Sequence, residues 1–229
     1  MEILKKILTY LVLPAIIVAL VWFIVDSVMV PVNFDKQKDY RTSVAVERLK
    51  DIRTLQTAYK TVNGKFTASV DTLINFYETG KMEIIMKIGS HDDSVAVANT
   101  ERLKKRNRRI TPEQMFELYK KGENLVFSVK NEIAVKDTLF NDRENFCIDS
   151  LRYIPFSGGI PVEMDAIVKQ VSGVNVPLFE AKMHYAALLK GMDRQLLINL
   201  KAEREDQSLY PGLMVGSITA PNNNAGNWE

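Results

Sequence analysis

Residues 7–25 carry no charged side chain, and after Asp26 and Ser27 the apolar character resumes as far as Val32. A helix rises about 1.5 Å per residue, so roughly 20 such residues cross a hydrocarbon layer about 30 Å thick. Residues 1–32 are therefore expected to form a transmembrane anchor, with the remainder of the chain tethered to the bilayer. Lys5 and Lys6 flank the run on its N-terminal side. No small-x-small cleavage site follows it, because Val28-Met29-Val30 is too bulky, so the anchor is expected to be retained. Tyr10 and Trp22 are placed toward opposite interfaces, and Pro14 can bend the span without cost to the assignment. Lys36, Lys38 and Arg41 after the span nearly balance the positive charge before it. The positive-inside bias therefore leaves the orientation of the span nearly undecided.

Pro31 and Asn33 are expected to loosen the backbone, after which a helical pattern begins again. Val44, Ala45, Leu49, Ile52, Leu55, Ala58, Tyr59 and Val62 recur at three- and four-residue steps and make one apolar face. Arg41, Glu47, Arg48, Lys50, Asp51, Arg53 and Lys60 occupy mostly the opposite side. Val44, Leu49, Ile52, Leu55 and Tyr59 are the expected seam between this helix and the body. Asn63-Gly64 ends it, since both residues tolerate a left-handed backbone.

Residues 33–90 read as this helix plus a small α+β region: Ser69 caps a helix over Val70 to Thr79, and Met82 to Ile88 reads as a buried strand. Residues 91–110 read as a polar, basic linker or loop. Residues 111–229 read as a β-rich C-terminal domain. It opens on a helix started by Thr111-Pro112-Glu113, with cap, proline in the first turn and an acid at the positive dipole end. Strands are expected over Leu125 to Lys130, Ile133 to Phe140, Ile148 to Ile154 and Val162 to Val171. Asn131-Glu132, Asn141-Asp142 and Ser157-Gly158-Gly159 supply turn chemistry between them. Val176 to Leu189 fits a strand followed by another element, or a helix over Phe179 to Leu189. Asp193 to Glu205 reads as helix by content, although Leu196-Leu197-Ile198 also suits a strand, and Leu213 to Ile218 reads as the last strand.

The net charge of +2 disfavours a general polyanion binder, and nucleic acid is not an expected partner. The one strong charge cluster holds Arg102, Lys104, Lys105, Arg106, Arg108 and Arg109. A solvated loop accounts for it, as does an acidic partner surface; without interleaved aromatics it lacks a stacking platform for single strands. Cys147 is the sole cysteine and reads as a small buried apolar residue. His91 and His184 are the only histidines, and no His-x-x-x-His, Cys-x-x-Cys or Glu-x-x-His spacing exists, so no metal or cofactor is expected. Gly-x-Ser-x-Gly and phosphate-loop patterns are absent, and no nucleophile, base and orienter converge, so no enzyme is expected. Trp228 closes an asparagine-rich tail and should dock, on the chain's own fold or on a partner.

Leu55, Tyr59, Asn63, Gly64 and Phe66 resemble the Leu-x-x-x-Tyr-x-x-x-Asn-Gly-x-Tyr/Phe motif of the pilin and pseudopilin superfamily of type IV pili and type II secretion systems. The resemblance covers roughly the first 80 residues. The chain has no Gly-Phe junction before its apolar run and no Glu within it, so leader processing and filament assembly are not carried over. The resemblance implies an α+β fold whose N-terminal transmembrane helix continues into an amphipathic half packed on a mainly antiparallel sheet. The expected role is a single-pass structural or interaction subunit of a bacterial envelope assembly, at the inner membrane with the N-terminus cytoplasmic and the body periplasmic. Its partners would be the lipid bilayer and other envelope proteins, with homo-oligomerisation left open. Arg102, Lys104, Lys105, Arg106, Arg108, Arg109 and Trp228 are the candidate partner-binding residues. The alternative is a membrane-tethered ligand-binding or sensory module with a periplasmic domain.

Overall fold

The computed structural model describes residues 12–144 and 146–229. Lys5, Lys6 and Tyr10 lie outside the described residues. The fold is α+β, with a long N-terminal helix and two small antiparallel sheets. Helix α1, Leu13–Asn63, is 51 residues long and unbroken. At about 1.5 Å per residue it extends some 75 Å. Pro31 lies inside it, so the expected loosening there does not occur. Gly64, at φ 72°, ends the helix, and its N–H donates to the Lys60 carbonyl at 2.8 Å.

The chain divides into two compact units that do not follow the four expected segments. The first comprises the described residues up to Gln56, residues 65–70 and residues 149–229; the second comprises residues 57–64 and 71–148. The expected C-terminal domain over 111–229 is thus divided, because its first part pairs with the strand that precedes it in sequence.

In the second unit, helix α2 (Val70–Thr79) leads into β1 (Lys81–Ile88). β1 pairs antiparallel with β2 (Phe127–Ala134) along its whole length, from Lys81 opposite Ala134 to Ile88 opposite Phe127. Asn131 and Glu132, expected to form a turn, sit within β2 opposite Ile84 and Glu83. Continuous ladder bonds outweigh the weak turn preference of an isolated asparagine. The strand expected over Ile133 to Phe140 is instead the end of β2 followed by a short helix α5, Val135–Thr138.

Between the strands lie α3 (Ser94–Arg106) and α4 (Pro112–Lys120). α3 overturns the expected linker over 91–110. Asp93 caps it, its Oδ1 accepting from the N–H groups of Val95 and Ala96 at 2.9 and 3.1 Å. Its inner side is small, with Ala96 and Thr100 buried, so few apolar residues advertise it. Thr100 Oγ1 accepts from the buried Val126 N–H at 2.8 Å. α4 carries the expected cap: Thr111 and Gln114 form a reciprocal capping box. Met115, Leu125, Phe127, Val129 and Ile88 make one core cluster; Ala58, Phe76 and Val135 make another, joined by Tyr59 and Met82.

The first unit contains β3 (Glu163–Val171), β4 (Val174–His184) and β5 (Gly212–Gly216) in that spatial order. Helix α6 (Tyr185–Leu188) follows β4, and α7 (Arg194–Asp206) precedes β5. The ambiguous stretch from Val176 to Leu189 therefore resolves as strand and then helix. Pro177 is tolerated in the middle strand because β5 pairs only with Glu180 to His184, leaving that side of Pro177 without a ladder partner in β5. Ile148–Arg152 is a 3₁₀ helix rather than the expected strand. Arg48, remote in sequence, reaches in and donates to the carbonyls of Ser150 and Tyr153 at 2.9 and 2.8 Å, satisfying acceptors that a ladder would otherwise take.

Candidate functional site

α1 changes character along its length, and the change is one of burial. Apart from half-buried Pro31, its apolar part up to Val32 is solvent-facing: Val18 is 69% exposed and Ile24 64%. None of the helix's best apolar window is buried, and its length and composition suffice to cross a membrane. Soluble monomers rarely leave so long an apolar surface uncovered. Further along, Leu49, Ile52 and Leu55 are fully buried, while Val44 and Tyr59 are half-buried. Tyr59 meets Phe76 edge-on, ring centroids 5.2 Å apart. Phe66 is buried against Phe179 at 4.7 Å.

Two kinds of polar residue on α1 do work that the periodicity did not reveal. Gln56 stands on the apolar stripe one turn after Ile52 and is fully buried. Its Oε1 accepts from the Thr67 N–H at 3.1 Å and its Nε2 donates to the Thr67 carbonyl, so one amide satisfies both backbone groups. A polar residue at a core-facing step was the available signal. Arg41, Arg48 and Arg53, assigned to the side away from the seam, bind the chain. Arg41 donates to the carbonyls of Leu188 and Lys190, the first at the C-terminal end of α6. Carbonyls at a helix C-terminus lack intrahelical partners, and the single Nη1 of Arg41 serves both acceptors. Arg53 donates to the Asn224 carbonyl and pairs with Glu229 at 2.7 Å.

The C-terminal tail docks on its own unit. Gly226 bridges Val215, and Asn227 exchanges hydrogen bonds with Met214 and donates to the Gly212 carbonyl. The tail thereby covers the free side of β5. The Trp228 indole lies directly over Gly226, where any Cβ would come within 2.4 Å of the ring. Its Nε1 is buried without a hydrogen-bond partner. Trp228 is thus engaged within the fold and half-buried there.

The basic cluster lies on α3 and the turn after it. Arg102, Lys104, Lys105, Arg106, Arg108 and Arg109 are all exposed. Lys104, Lys105 and Arg106 occupy the last turn, where the helix dipole favours positive charge. Arg102 and Arg106 share a cleft of about 490 Å³ with Asn99, Glu123 and Asn124. Cys147 is exposed, not buried as expected, because it lies in the irregular segment before the 3₁₀ helix. Among the described residues, no group of three or more His, Cys, Asp or Glu side chains could hold a metal.

His184 closes β4. Its Nδ1 accepts from the Ala186 N–H at 2.9 Å and caps α6, and Tyr210 meets the imidazole edge-on. Burial, reinforced by Lys201, holds the His184 pKa below its ordinary 6.5 against the opposing pull of Glu163 and Glu205. Burial beside Glu163 and Glu180 pushes the Tyr210 phenol up to about 12. Lys182 pairs with the buried Glu180 and lies over the Tyr210 ring. A protonated Nδ1 cannot accept the Ala186 hydrogen bond. The unfolded chain protonates His184 near 6.5 and the folded chain only at lower pH, so this contribution is complete above about 6.5 and fades as pH falls. Melting curves at about pH 7.5 and 5.5 should show a smaller pH-dependent loss for His184→Asn, which keeps a capping oxygen, than for the wild type. Equal losses would contradict the cap.

Comparison with known proteins found no matching family model, no matching curated protein and no matching solved structure.

Proposed function

We propose that the chain is a single-pass, membrane-anchored structural or interaction subunit of a bacterial envelope assembly, pilin- or pseudopilin-like in its N-terminal helix. The observation that carries this reading is the unbroken passage of α1 from a wholly uncovered apolar stretch to a stripe with Leu49, Ile52 and Leu55 fully buried. One rigid element then serves as anchor and as the root of a folded body. Arg41, Arg48 and Arg53 support it by tying distant segments to the same helix. In this reading the body lies on the periplasmic side, the N-terminus is cytoplasmic, and the chain acts by presenting surfaces rather than by catalysis. The exposed basic side chains of α3 are a surface suited to an acidic envelope partner.

Cys147 supplies the test. As the sole cysteine and an exposed one, it should react with a membrane-impermeant thiol reagent in intact spheroplasts. Labelling only after lysis would reverse the orientation. Recovery of the full-length chain in a detergent-free supernatant would overturn the anchor.

A further inference from the structure

β1 is an edge strand. β2 pairs with one side of it, and among the described residues no further strand pairs with the other. The β5 edge of the other sheet is covered by the tail, whereas β1 leaves a row of backbone donors and acceptors open. Its outward face carries Lys81, Glu83, Ile85 and Lys87. Ile85, in the middle, is 65% exposed. Across the ribbon it stands opposite Lys130.

We propose that β1 pairs antiparallel with β1 of a second copy of this chain, about a two-fold axis through Ile85. Residues directly opposite each other in an antiparallel pair share a face, and a two-fold interface repeats every contact. Centring the pair on Ile85 sets it against its own counterpart. The same register puts Glu83 opposite Lys87, and by symmetry Lys87 opposite Glu83. On the other face Ile84 meets Met86 and Met82 meets Ile88, so an apolar layer continues across the junction. The sequence Lys-Met-Glu-Ile-Ile-Met-Lys-Ile is self-complementary in this register. Slipping the centre to Ile84 would set Lys81 against Lys87 and Glu83 against Ile85.

The charges needed are available. Lys87 has no acidic partner within the chain among the described residues. Glu83 accepts from Lys130 at 3.0 Å but stays 64% exposed in its side chain, with room for a second cation. β3 also has an outer edge, and it fits less well: Lys169 already donates to the Thr219 carbonyl at 2.6 Å, and Ile167 at its centre is 38% exposed. A groove of about 500 Å³ lined by Val62, Lys81, Glu83, Ile85 and Lys130 opens on the β1 face. The pairing uses residues of the second unit alone and does not rest on the membrane reading.

The test uses the full chain in detergent, with Cys147→Ser as background. Opposed Cβ atoms in an antiparallel pair lie about 4.5–5.5 Å apart, so Ile85→Cys should form a disulfide-linked dimer under mild oxidation. Ile167→Cys should not. Without crosslinks, sedimentation should show a dimer. Glu83→Lys sets like charges together on both sides of the axis and should weaken that dimer at least about tenfold; Glu83→Lys with Lys87→Glu should restore it. A monomer at every concentration, a dimer indifferent to the charge reversal, or crosslinking through position 167 in place of 85 would overturn the proposal. Circular dichroism of each variant confirms that these surface changes leave the fold in place.

Discussion

A double change of Val18→Arg and Val21→Arg is expected to move the protein out of the membrane fraction. Each arginine near the middle of a spanning helix opposes insertion by about 2.5–3.5 kcal/mol, and neither site has a neighbouring element to shelter the charge. Val18 and Val21 are 69% and 53% exposed, so the folded body does not need them. The combined cost of roughly 5–7 kcal/mol corresponds to a shift of more than a thousandfold in partitioning. The measurement is the distribution between pellet and supernatant after alkaline extraction. Val18→Leu with Val21→Leu should stay in the pellet. Retention of the double arginine variant there would mean that something other than the apolar helix holds the protein to the membrane.

The second large effect is expected from Leu55→Asp. Leu55 has no solvent exposure, and it lies one turn before Tyr59 on the stripe that carries Leu49 and Ile52. A carboxylate there either ionises in an apolar surround or takes up a proton at the expense of its pKa, and it leaves unfilled volume in both cases. A loss of about 4 kcal/mol or more is a large share of the 5–15 kcal/mol that holds a typical domain together. Thermal melting of the detergent-solubilised protein should show the first unit destabilised or unfolded. Leu55→Met, which conserves volume, should cost less than about 1.5 kcal/mol. A melting curve for Leu55→Asp that matches the wild type would place Leu55 outside the core.

The features legible from residue order were those with a short period. The stripe of Leu49, Ile52 and Leu55 repeats within two helical turns, and all three are buried. Thr111-Pro112-Glu113 marks a helix whose cap lies beside it in sequence, and the helices expected over Val70 to Thr79 and Asp193 to Glu205 are both present. α3 is not legible in the sequence because its buried side is Ala96 and Thr100, residues too small and too polar to register as a stripe. The strand expected over Ile148 to Ile154 failed for another reason. Its backbone acceptors are taken by Arg48, from 102 and 105 residues earlier in the chain.

The candidate surfaces divide in the same way. The exposure of the basic cluster followed from its composition, since so many adjacent like charges cannot be buried together. The docking of Trp228 needed Gly226 beneath the indole and β5 alongside, and the exposure of Cys147 needed the irregular backbone around it.

Residue order alone was enough to establish an apolar rod of membrane-spanning length running into an amphipathic one, because helix periodicity and the cost of charge in hydrocarbon act within a few turns. Folding in three dimensions assigned residues 111–148 to one unit and residues 149–229 to the other, matched β1 with β2, and turned Arg41, Arg48 and Arg53 inward. Those outcomes depend on which distant carbonyls and strand edges come within hydrogen-bonding reach, and no local pattern encodes that.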